Sequence, residues 1–188
     1  MSKKAWTSVS IILLGVLFIS FYNQYKKNVE QNNYRYVFVS HLYGEINNCV
    51  FLLSRISSND EKVQQNAFKA LIHQLEVVDR VIRDGHYFMD RNINYSLPHE
   101  FYSIGNIMDG GFSRNGHKIC DGFLEDGKLS EKEIAFLTSL KGDLERIQKK
   151  FHSDANNQVN YKLSVKEINE ILTPFCDKYD TGELNLSN

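Results

Sequence analysis

Residues 39–56 read VSHLYGEINNCVFLLSRI, and the placement of apolar side chains in this stretch decides the fold. Val39, Leu42, Ile46, Cys49, Leu53 and Ile56 follow one another at intervals of 3, 4, 3, 4 and 3. Intervals of three and four bring side chains to one face of an α-helix, because a helix turns once per 3.6 residues. The stretch therefore predicts a helix with one apolar stripe, and such a stripe needs other elements to cover it. Under three heptads are spanned, which is short for a coiled-coil seam. The stripe is assigned to an intramolecular core, with homodimerisation through this helix as the alternative.

The partners for that stripe follow downstream. Asn59 or Asp60 is placed to cap a helix carrying Val63, Ala67, Leu71, Leu75, Val78 and Ile82, with Phe68 and Ile72 widening the face. Gly85 is expected to end it in the left-handed conformation. Ser130 with Glu133, and Ser164 with Glu167, match the capping box, in which each side chain satisfies a backbone donor of the other residue. The first predicts a helix from Glu131 to about His152 with Leu137, Leu140, Leu144, Ile147 and Phe151 inward. The second predicts one from Val165 with Ile168, Leu172 and Phe175 inward, kinked or ended by Pro174. A shorter helix is expected from Pro98 to about Met108, stopped at Asp109-Gly110-Gly111. Another is expected over His117 to Glu125. The fold class is all-α, a bundle-like domain of four to five helices.

Upstream, Ala5 to Tyr22 reads AWTSVSIILLGVLFISFY, and no charge occurs between Lys4 and Lys26. About 20 apolar residues in a helix cross a bilayer core, and Trp6, Tyr22 and Tyr25 stand where interfacial rings would sit. The exit SFYNQYKK lacks the small residues of a cleavage site. This predicts an uncleaved signal anchor with the lipid bilayer as a partner through residues 5–25. The protein is then a single-pass membrane protein with its C-terminal domain extracytoplasmic. The expected divisions are a tail at 1–4, an anchor at 5–25, a juxtamembrane helix or linker at 26–37, a helical domain at 38–180 and a frayed tail at 181–188.

Bulk chemistry removes several functions. Lys and Arg number 22 against 23 Asp and Glu, a net charge of −1, so no basic surface points to nucleic acid. Cys49, Cys120 and Cys176 form no CxxC pair and are read as buried thiols. Asp126-Gly127-Lys128-Leu129-Ser130 with Glu133 follows the second half of a calcium-binding EF-hand loop. Its first half would need oxygen ligands at Gly122 and Leu124 and has none there. The histidines show no metal-ligand spacing, and there is neither a P-loop nor a nucleophile elbow, so no cofactor, metal or catalytic residue is assigned. The enzyme alternative is a small membrane-bound enzyme using His117 and Cys120, a thiol and an imidazole one helical turn apart.

The segment between His86 and Asp126 is rich in aromatics and glycine. Loops on a helical scaffold commonly carry binding, and exposed Tyr, Phe and Arg anchor protein partners. Tyr87, Phe88, Tyr95, Phe101, Tyr102, Phe112 and Arg114 are the candidate partner surface, weighed against their packing as a crossover inside the bundle. The expected function is that of a membrane-tethered, non-catalytic helical interaction or sensing module acting through protein–protein contacts, its partner in the membrane or envelope.

Overall fold

The computed structural model of the protein describes residues 3–56, 60–94, 97–114, 117–125, 127–153 and 157–179, with the side chains at 3–12, 97–98, 112–114 and 117–120 outside that description. Its first element is α1, Lys3–Ile56, a single helix of 54 residues. No Gly or Pro between Lys26 and Val37 interrupts it, so the segment 26–37 is helix and not a linker. From Phe38 onward α1 belongs to the core. Val39, Leu42, Ile46 and Cys49 are fully buried, and Leu53 and Ile56 nearly so.

Next comes α2, Glu61–Asp84, whose cap is Asp60: its carboxylate accepts from Lys62 N at 2.9 Å and Val63 N at 3.1 Å. The helix buries Phe68, Leu71, Leu75, Val78 and Ile82 and packs on both α1 and the helix that follows. Gly85 does not end it in a left-handed turn; its φ is −57° and ψ −45°. The chain instead adds a π-helical turn, Gly85–Met89, closed by Asp90 N donating to Gly85 O at 3.0 Å. The reason for glycine here is space. A Cβ at position 85 would lie 2.2 Å from a ring carbon of Phe38.

Helix α3, Leu97–Gly110, packs on α2 and α5, and Gly111 with φ 75° turns the chain after it. The expected helix over His117–Glu125 is corrected: Phe112–Arg114 and His117–Cys120 form the antiparallel strands β1 and β2, followed by a turn. Glycines at 116 and 122 disfavour helix, and the Asp109 carbonyl would meet a Cβ at position 122 at 2.5 Å. Apart from this small hairpin the fold is all-α.

Helices α4, Glu131–Lys150, and α5, Val165–Tyr179, close the bundle. Ser130 N donates to Glu133 at 2.6 Å and Glu133 N to Ser130 Oγ at 3.3 Å, a complete capping box. Ser164 and Glu167 exchange the same pair at 2.7 and 3.2 Å. Pro174 lies inside α5 and does not stop it, since the buried face of Ile171, Leu172, Phe175, Cys176 and Tyr179 runs across it. Helix α4 packs on α1, with Gln148 Nε2 donating to Asn47 Oδ1 at 2.8 Å and Tyr43 Oη paired with His152 Nε2 at 3.0 Å. Residues 181–188 lie outside the described residues.

The membrane expectation is corrected. Among the described residues no helix is long and apolar enough to cross a membrane, which argues against a single-pass protein with an extracytoplasmic domain. The described apolar side chains at this end run from Leu13 to Tyr22 and give way to Asn23, Gln24, Lys26 and Lys27. That is about half the roughly 20 residues a span requires. The side chains of Ala5 to Ile12, on which the rest of the expected span depended, lie outside the described residues.

Candidate partner-binding surface

The aromatic middle segment divides into core and surface. Phe101 is fully buried and stacks on Phe175 with ring centroids 4.6 Å apart, so it is corrected from surface candidate to core. Its position on the inner face of α3, beside Ile104 and Met108, explains this. Tyr102, the next residue, turns outward. Tyr87 and Phe88 sit on the π-helical turn and are exposed, Phe88 to 82%. Phe112 and Arg114 lie at either end of β1, away in sequence from that turn; Tyr95 lies outside the described residues.

Phe88, on the turn, borders a groove. It has a volume of about 420 Å³ and lies between α1 and the end of α2. Tyr34, Val37 and His41 of α1 form one wall, Val81, Phe88 and Met89 the other, with the Phe38 ring and Gly85 beneath. The π-helical turn builds this shape. The turn sets Phe88 and Met89 along the groove, and π-helical insertions are frequent at functional sites. His86 anchors the turn, its Nδ1 donating to the Ile93 carbonyl at 2.7 Å, and its ring meets that of Tyr87 edge-on at 5.2 Å. Among the described residues that line the groove, Asp84 carries the carboxylate, with the His41 imidazole on the α1 wall.

Sequence reasoning named Phe88 but not its α1 neighbours in the groove. Val37 and Tyr34 fall outside the 3,4 stripe of residues 39–56, and no signal in the sequence marks them.

Other clusters are structural. Asp143, buried on α4, accepts from Tyr179 Oη at 2.7 Å and Arg146 at 2.9 Å, and also holds Lys178. Burial and the neighbouring Asp143 carboxylate push the Tyr179 phenol well above its usual range, so it stays protonated as donor. Lys178 also donates to Ser139 Oγ at 2.9 Å. Cys49 and Cys176 are buried; burial raises both thiols, Cys176 to about 12, which suppresses the nucleophilic thiolate. Asp79, 5% exposed on α2, has a carboxyl raised by burial, opposed by Arg83 at 3.3 Å.

His117 and Cys120 open and close β2, so the helical turn that would pair thiol and imidazole is absent from the backbone. Asp126 lies outside the described residues, and the Glu133 carboxylate of the same loop is engaged by Ser130 N. Among the described residues, no three His, Cys, Asp or Glu side chains gather around one metal position. Comparison with family models, with curated proteins and with solved structures gives no match.

Proposed function

We propose that the protein is a non-catalytic helical interaction module that docks a protein partner in the groove between α1 and the π-helical turn. The carrying observation is the solvent-facing Phe88 ring beside an open apolar groove of about 420 Å³. A Phe exposed to 82% contributes little to its own fold, and large apolar rings left outside mark binding surfaces. Parallel walls from two helices suit the insertion of one or two bulky side chains from the apolar face of a partner helix. A basic residue on that helix would meet Asp84 at the rim. The volume lies within the range of sites that enclose a recognised group.

The test is site-specific photo-crosslinking of the full chain in its native cells. A photoreactive residue at Phe88 should give one discrete adduct, which Val37→Asp on the facing wall abolishes. The same probe at Lys166, exposed on α5, should give none. No adduct at position 88, or equal adducts at 88 and 166, would refute this function.

A further inference from the structure

We infer that Gly85 sets the depth of the groove by leaving room for the Phe38 ring beneath it, a role that rests on the docking function proposed for this groove. Position 85 has no backbone need for glycine. Its φ of −57° and ψ of −45° are ordinary helical values, and alanine favours that conformation over glycine. What glycine supplies is contact. A Cβ there would stand 2.2, 2.7 and 2.9 Å from Cε2, Cδ2 and Cζ of Phe38. Carbon atoms rest at about 3.5–4.0 Å from one another, so something has to move. The three atoms belong to the far end of a side chain, and a ring yields more readily than backbone.

The surroundings of the ring decide which way it goes. On the core side, Leu42 lies one turn further along α1 and Ile82 one turn back along α2, and both are fully buried. A close-packed interior does not take in a displaced ring without strain. On the other side is the open groove of about 420 Å³, which Phe38 and Gly85 both line. Phe38 is itself only 7% exposed, so in the native chain its ring is withdrawn from that space. Pushed by a Cβ at position 85, it swings outward and fills the volume that a partner side chain would enter. Gly85 is therefore a positioning residue that acts through Phe38. It also opens the π-helical turn that carries Phe88, so one glycine serves both the floor and the wall of the groove.

The experiment uses the full chain, with 4-fluorophenylalanine at its phenylalanines. The Phe38 and Phe101 signals are assigned by their loss in Phe38→Val and Phe101→Leu. In Gly85→Ala the Phe38 fluorine should move and gain a shift on transfer from H2O to D2O, while the Phe101 fluorine stays in place. In the photo-crosslinking cells, Gly85→Ala should lower the adduct at position 88 at least tenfold. Adding Phe38→Val, which lacks the ring atoms that the new Cβ meets, should bring the adduct back to the level of Phe38→Val alone. An unmoved Phe38 fluorine in folded Gly85→Ala, an undiminished adduct, or an unfolded Gly85→Ala that Phe38→Val does not rescue would each overturn the inference. A wild-type chain without an adduct refutes the docking function alone, and the fluorine signals then decide whether Gly85 holds the ring out of the groove.

Discussion

Single residues in this chain show how neighbours, more than residue type, assign a role. Phe101 and Tyr102 are adjacent and both aromatic, yet Phe101 is wholly buried and Tyr102 is exposed, because consecutive helix positions point about 100° apart. Glu167 shows the same dependence in its chemistry. The Ser164 hydroxyl and N–H donate to its carboxylate and hold its carboxyl below the ordinary 4.5. A folded value lower than the unfolded one contributes stability above the unfolded value and loses it as pH falls through the folded one. Glu167→Gln should therefore lower stability at pH 7 by a few tenths of a kcal/mol, about what an exposed cap contributes. The difference from wild type should vanish in acid, below the folded value. Urea melts of both proteins from pH 7 downward check this; a deficit unchanged throughout would show that the charge is not involved.

Elements differ in how much of them the sequence exposes. The helix from Val39 to Ile56 was legible because its stripe meets a core on one side only, so its intervals survive as 3 and 4. Ser130–Glu133 and Ser164–Glu167 were legible for a local reason: a cap and its donor lie three residues apart, and no tertiary contact is needed to read them. The π-helical turn was not, since one inserted residue changes no side-chain pattern that a helix could not also carry. Nor was the hairpin of Phe112–Arg114 with His117–Cys120, whose strands are too short for alternation to distinguish them from a turn. Gly85 was misread because glycine frees the backbone and also leaves room; here the neighbouring Phe38 ring needs the room. The stripe itself makes a direct prediction. Leu53→Ala, at a position 3% exposed, should destabilise the protein by about 2–5 kcal/mol. Phe51→Ala, two residues away on the exposed side, should cost less than about 1 kcal/mol. Equal costs in urea titration would mean that the stripe is not the buried face.

At the scale of the whole molecule, α1 does two things in succession. Its last third, from Phe38, is a wall of the bundle, closed by α2 and α4. At the start of that wall lies the groove where Tyr34 and Val37 face Phe88, built from the point at which the long helix leaves the core. Of that groove, Phe88 was readable in the aromatic middle segment. The rest required knowing that the end of α2 returns to α1, which antiparallel packing of the two helices supplies. The central claim is that the aromatic middle segment divides into rings that hold the fold and a ring that is free to bind. Comparative unfolding of Phe88→Asp and Phe101→Ala tests it most directly. The account predicts that Phe88→Asp stays within about 0.5 kcal/mol of wild type, while Phe101→Ala loses about 3–5 kcal/mol. A loss for Phe88→Asp as large as that for Phe101→Ala would contradict it, because the Phe88 ring would then belong to the core.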